Sequence, residues 1–180
     1  MDQAIKQWIN SPAGTNGLFD AVMIMAGKIG VPLLIVLVAV QWWSKVDRTH
    51  VRHGCIAAGL SFLIGLGLNQ AILLFVHRVR SYDASVSHLI ISKSADWSFP
   101  SDHATASIAI VAAFGLHGLP RCTLLFGLMA LLICWSRIFV GTHYLTDVLG
   151  GSLTGVVAAM LVWVFYREGS RLDRLATRIL

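Results

Sequence analysis

The chain has 180 residues, 56% of them hydrophobic and only 13% charged, with a formal net charge of +5. Soluble domains carry about 25% charged residues, so this composition excludes an ordinary soluble domain and points to the bilayer. The basic excess is scattered at the ends of apolar runs. It therefore calls for no nucleic-acid partner and suits contact with anionic headgroups of membrane lipids.

Residues 1–10 are too polar to cross a membrane, but Ala4, Ile5, Trp8 and Ile9 share one helical face, which predicts a short interfacial helix. Asp2 stands where a signal peptide would have a basic start, and no small-residue cleavage site follows an early apolar core, so no cleaved signal is read. A first span at about 18–43 takes in Lys28 and closes on Trp42 and Trp43, as expected at an interface. Residues 54–76 and 148–166 contain no charge and reach the ~20 residues that a crossing needs, giving spans at about 54–77 and 144–166. The runs 104–118 and 122–135 are shorter, and become spans at about 103–118 and 121–141 once their charged edges are included. The expected fold is all-α: a polytopic membrane helix bundle of about five spans plus the interfacial helix, forming a single integral-membrane domain over 1–180. Cys55, Cys122 and Cys134 fall in or at the ends of apolar spans, which argues against a disulfide framework and against zinc spacing.

Five spans put the termini on opposite sides. One side carries Lys45, Arg48, Arg52, Arg121, Arg167, Arg171, Arg174 and Arg178, and the other Lys6, Arg78, Arg80, Lys93 and Arg137. The positive-inside rule makes the first set cytoplasmic, eight to five, with the carboxyl tail inside and the amino terminus outside. The long polar connection from 78 to 99 lies on the outer side and has the character of a lid or substrate-entry element.

Two segments on that outer side carry chemistry. In Phe99-Pro100-Ser101-Asp102-His103, Pro100 and Ser101 mark a helix start whose backbone N–H groups and dipole suit an anion, with His103 one turn in. Ser136-Arg137 is followed after five residues by His143, and after three more by Asp147. If the chain is helical from Tyr144, His143 and Asp147 stack at i, i+4, so the carboxylate can accept the ring N–H and leave the other nitrogen free to attack. Arg137 and Arg80 are placed to converge as bidentate phosphate clamps. Lys28 either snorkels to the interface or supplies a further cation to the pocket. Arg78 and His88 are second-rank candidates, His88 for a distal phosphate. Asp102 suits the helix dipole, and Ser136 either caps a helix end or joins the phosphate site.

At these residues the chain resembles the type-2 phosphatidic acid phosphatase superfamily, whose pattern is Lys-(six)-Arg-Pro, Pro-Ser-Gly-His and Ser-Arg-(five)-His-(three)-Asp. The third element matches in full at Ser136, Arg137, His143 and Asp147. The second matches at Pro100, Ser101 and His103, with Asp102 in place of glycine. In the first, Arg80 aligns, Ser81 replaces the proline and Leu73 stands where lysine is usual. The departures look most like the bacitracin-resistance branch, the undecaprenyl-diphosphatases.

The resemblance implies a metal-independent phosphohistidine mechanism without cofactor. His143 is the nucleophile, Asp147 its orienter and His103 the acid and base; Arg80, Arg137, Ser101, Ser136 and N–H groups near Asp102 hold the phosphate oxygens. The substrate would be a polyprenyl diphosphate or another phospholipid, cleaved at the outer face of a bacterial inner membrane. A lipid monophosphatase acting on phosphatidic acid or phosphatidylglycerol phosphate is the alternative within the class. A transporter with a His/Asp/Arg relay is the alternative outside it, and would place these residues near the bilayer midplane.

Overall fold

The computed structural model describes residues 1–178, and among them there are seven helices and no strand. Helix α1 (Asp2–Asn10) is short. Helices α2 (Gly17–Gln41), α3 (Arg48–Leu73), α5 (Pro120–Phe139) and α6 (Leu145–Phe165) are each long and apolar enough to cross a membrane. Helix α4 (Asp102–Leu116) is apolar but has only 15 residues, about 22 Å at 1.5 Å per residue, so one of its ends lies inside a ~30 Å hydrocarbon layer. The all-helical, multi-pass expectation holds. The main shift in an element is at α3, which starts six residues earlier than the span at 54–77 and ends at Leu73.

Helix α4 is the centre of the bundle and packs on α3, α5 and α6. Its inward positions are small: Ala104, Ala106, Ala109 and Ala113 are all buried. The facing surface of α6 is smaller still. A Cβ on Gly151 would fall 2.4 Å from the Ser101 carbonyl oxygen, and one on Gly155 would fall 2.6 Å from that of Thr105. In lipid there is little hydrophobic drive between helices, so such small-residue seams let the backbones approach and gain dispersion contacts. Phe114 and Phe126, edge to face with centroids 5.0 Å apart, fill the lower core. The apolar residues on the outer faces of α2, α5 and α6 remain exposed, as lipid-facing surfaces must.

The two ends of the bundle differ. At one, α7 (Arg171–Thr177) is pinned to the start of α3 by His53 and Asp173, both buried and 2.8 Å apart, with Tyr166 Oη donating to the same carboxylate. At the other, the connection between α3 and α4 is tied down over the α5–α6 turn. Ser81 Oγ donates to Gly141 O, Ile90 N to Val140 O, and Ser98 N to Arg78 O.

Helix α1 also lies on this second end, with most of its apolar face turned away from the bundle, as an interfacial helix requires. Trp8 is 72% exposed, while Lys6, Ile9 and Asn10 are buried. Lys6 Nζ donates to Ile138 O, and Asn10 Nδ2 donates to the carbonyls of Phe139 and His88. Asp2, Lys6 and Asn10, four residues apart, form a polar stripe that faces the bundle. The reason is chemical: the last turn of α5 ends in carbonyls without helical partners, and Lys6 and Asn10 donate to two of them, while Asp2 accepts from Arg78 and Thr146. Lys6, counted as an outer surface charge, is thus a buried group.

Candidate active site

The site is built at the end of α5 and the start of α6. The Arg137 carbonyl accepts from the backbone N–H groups of Thr142 and His143 and from Thr142 Oγ1, closing a tight turn. Gly141 takes φ +96° in that turn, and a Cβ there would meet His88 O at 2.5 Å, so only glycine fits. The turn delivers His143 just before Tyr144, the N-cap of α6. His143 is buried, 3% exposed.

Its ring is held differently from the sequence expectation. Nδ1 lies 2.8 Å from the backbone carbonyl of Ser98 and 3.7 Å from Asp147 Oδ2. A carbonyl can only accept, so Nδ1 carries the proton and Nε2 keeps an unprotonated lone pair, to which Arg80 donates. Nε2 sits 3.4 Å from Arg80 Nη1.

Asp147 acts one step removed. Its Oδ2 accepts from Ser98 Oγ at 2.5 Å and from Tyr144 N at 2.8 Å, a capping box at the start of α6. Its Oδ1 accepts from Arg78 Nη1 at 2.6 Å. His143 precedes α6, which begins at Leu145, yet the i, i+4 pair still meets, with Nδ1 at ion-pair distance from Asp147 Oδ2. The carboxylate also fixes Ser98, whose carbonyl fixes His143. Burial pushes the His143 imidazole below the ordinary histidine range; Asp147 opposes this, and the nearby Arg137 and Arg80 guanidiniums add to it.

Across the site, Ser101 is the N-cap residue of α4, but its hydroxyl caps nothing. Ser101 Oγ is fully buried and has no hydrogen-bond partner, and the same holds for Arg137 Nε. Among the described residues the other such atom is Asn69 Oδ1 on α3. Buried polar atoms are almost always satisfied, so each of these groups keeps hydrogen-bonding capacity to offer. His103 and Arg137 line a cavity of about 490 Å³ together with Gly27 and Lys28 of α2. A Cβ on Gly27 would come within 3.1 Å of Arg137 Nη1, and its absence lets α2 lie against the guanidinium. Arg80 is buried and anchored by Nε donating to Asp96 O at 2.8 Å.

The structure thus brings together His143, His103, Arg137, Arg80, Ser101 and, through Ser98, Asp147. Four other sequence candidates stand elsewhere or are already engaged. Ser136 Oγ donates to Ile133 O within its own helix. Asp102 accepts from Asn69 Nδ2 at 2.7 Å, directed to α3. Arg78 is held by Asp147, Asp2 and Thr146, its guanidinium 4.0 Å over the Tyr144 ring, and so is committed to neutralising Asp147. The N–H of His88 donates to Asn10 Oδ1, and its ring packs on Gly14 and the Ala13 carbonyl. Sequence reading missed Ser98, Asp2, Lys6 and Asn10. Only the four-residue spacing of the last three carried a signal.

A family model described as the PAP2 superfamily matches residues 54–171. Undecaprenyl-diphosphatase BcrC of Bacillus subtilis is 31% identical over 169 residues, covering 93% of this chain and 83% of that protein. Putative undecaprenyl-diphosphatase YbjG of Escherichia coli is 31% identical over 147 residues, covering 79% and 72%. The crystal structure of a transmembrane PAP2 type phosphatidylglycerolphosphate phosphatase from Bacillus subtilis shares the fold, with a TM-score of 0.69 at 23% identity over 94% of this chain and 86% of that one. A buried histidine with an unprotonated nitrogen among arginines, on a bundle of this shape, accords with these likenesses: the chain belongs to the PAP2 superfamily and is a multi-pass membrane lipid phosphatase.

Proposed function

We propose that this protein hydrolyses a lipid diphosphate, undecaprenyl diphosphate, to the lipid monophosphate and inorganic phosphate through a phosphohistidine. The observation that carries the reading is a buried His143 whose Nε2 is unprotonated and faces Arg80, with Arg137 close enough to act on it and lining one cavity with His103.

Nε2 attacks the terminal phosphorus in line, the bond from phosphorus to the bridging oxygen breaks, and the His103 proton goes to that oxygen. Arg80, Arg137 and Ser101 hold the equatorial oxygens, where charge accumulates. His103 then takes a proton from water, whose oxygen attacks phosphorus. The P–N bond breaks, phosphate leaves and His143 is restored. Asp147 steadies the cationic phospho-imidazole by its charge and by holding Ser98.

The substrate assignment rests on chemistry and on likeness. A phosphate leaving group, with second pKa ~6, needs less help from the pocket than an alkoxide. This suits a site where Leu73 stands in place of a lysine. Two relatives are named undecaprenyl-diphosphatases. A monophosphate substrate is the second reading, favoured by the fold neighbour's phosphatidylglycerolphosphate activity.

For orientation, α1 and the site share one end of the bundle, and Lys45, Arg48, Arg52 and the basic residues of 167–178 share the other. With Lys6 buried and Arg80 and Arg137 in the site, the positive-inside contrast sharpens. The α7 end therefore faces the cytoplasm and the site faces outward.

The test is phosphate release from undecaprenyl diphosphate, phosphatidic acid and phosphatidylglycerol phosphate in detergent with chelator present, using wild type and His143→Ala. The expected result is fastest release from the diphosphate, indifference to chelator and an inactive variant. Faster hydrolysis of phosphatidic acid, loss of activity with chelator or an active His143→Ala would each refute it.

A further inference from the structure

We propose that Lys28 forms a second anion subsite, which binds the phosphate group that stays on the lipid when the terminal phosphate is transferred. This rests on the diphosphatase reading and adds the residue that tells a diphosphate from a monophosphate.

Lys28 lies eleven residues along α2 from Gly17, about 16 Å from the helix start, within an apolar span. Among the described residues its ammonium has no hydrogen bond or ion pair. An unpartnered lysine at such a depth is costly, and residues of this kind mark ligand paths. Its position supplies the ligand. Besides the cavity shared with Arg137, Lys28 lines an apolar groove of about 240 Å³ between α2, α3 and α4, with Pro32, Phe62, Leu66 and Ala106. Lys28 and His103 are the two residues common to cavity and groove. They stand between the chamber that Arg137 lines and a groove whose apolar walls suit a lipid tail.

In-line displacement makes this junction specific. The nucleophile approaches from the His143 side, so the leaving oxygen departs on the side of His103, its proton donor. Whatever the leaving oxygen is bonded to lies next, toward the groove. In a lipid monophosphate that is a methylene, and in a lipid diphosphate it is a second phosphate. An ammonium at this point meets charge only in the second case. The one acid lining the same groove, Asp102, gives an oxygen to Asn69 and forms no ion pair with Lys28, so the ammonium is open to a substrate anion.

Farnesyl diphosphate and farnesyl monophosphate in detergent micelles differ by one phosphate and isolate this contact. The ratio of kcat/KM for the two substrates is measured for wild type, Lys28→Met and Lys28→Arg, with thermal unfolding to show that each is folded. Lys28→Met is expected to lower the diphosphate-to-monophosphate ratio roughly tenfold to a hundredfold, the scale of a lost charged hydrogen bond. Lys28→Arg is expected to keep the ratio within about threefold, because it keeps the charge. Should Lys28→Met not fold, Lys28→Gln is measured in its place. A ratio unchanged by loss of the charge, or equal losses on both substrates, overturns the subsite while the diphosphatase reading stands. A wild type that prefers the monophosphate overturns both.

Discussion

Replacing Asp147 by asparagine separates two ways in which the carboxylate could serve His143. Because Nδ1 is bonded to Ser98 O at 2.8 Å and lies 3.7 Å from Asp147 Oδ2, the tautomer survives the change, and what the histidine loses is the neighbouring charge. Two unit charges about 4 Å apart in an effective dielectric of ~20 interact by about 4 kcal/mol. At tenfold per ~1.4 kcal/mol, that sets a ceiling of about a thousandfold on kcat. Stability falls as well. The amide must turn its NH₂ either toward Arg78 or toward Tyr144 N and Ser98 Oγ, all of which donate to the carboxylate. Breaking a buried ion pair costs about 3–5 kcal/mol. Arg78 keeps Asp2 and its side chain is 32% exposed, so the loss falls toward the low end, about 3 kcal/mol. Steady-state phosphate release and thermal unfolding measure the two effects. A residual rate well above that of His143→Ala is expected. A loss as complete as in His143→Ala would show that Asp147 sets the tautomer directly, and a loss under tenfold would show that its charge plays no part.

Three further outcomes follow from the same geometry. Ser101→Ala removes a buried hydroxyl that has no partner, so the unfolding midpoint should hold or rise while inhibition by inorganic phosphate weakens about tenfold; a clear drop in the midpoint would contradict the orphan reading. Gly151→Ala drives a methyl into the Ser101 carbonyl at 2.4 Å and should cost about 1–3 kcal/mol by overpacking, with activity falling as Ser101 is displaced; a variant of wild-type stability and activity would refute the close α4–α6 seam. Burial and the arginines hold His143 below the usual histidine pKa, so its neutral, nucleophilic form persists as pH falls, and the acid limb of kcat should lie below ~6.5. Arg80→Gln removes one of those cations and should move that limb upward, a shift read from the pH–rate profile; a downward shift would sink the argument.

Lys6 supplies a stability test with a defined sign. Burial lowers its pKa from 10.5 to about 7, so between those values the unfolded chain binds the proton and the folded chain does not. Folding is thus penalised most at low pH, and the penalty fades as pH rises from about 7 toward 10. Lys6→Met loses the bond to Ile138 O at both pH values but relieves the charge penalty only at the lower one, so its unfolding midpoint relative to wild type should be higher at pH 6 than at pH 9; an equal effect at both would show that Lys6 is not buried as placed.

The sequence by itself determined the solvent, the spans and the cluster of reactive residue types. Apolar run length and the spacing of Ser136, Arg137, His143 and Asp147 are local properties, and they survive whatever the packing. The degraded first element still located Arg80, because the connection that carries it leads straight into the helix start at Ser101. The partners were not local. His143 bonds to a carbonyl 45 residues away, Arg78 reaches Asp2 and Asp147 across 76 and 69 residues, and Lys6 reaches Ile138 across 132. Those partners meet only because α4, α5 and α6 end or begin at one level of the bundle. Which side chain satisfies each of them depends on how closely the glycine seams let the helices approach. That is why the interfacial helix turned its polar stripe inward, and why Ser98 rather than Asp147 became the immediate partner of the histidine.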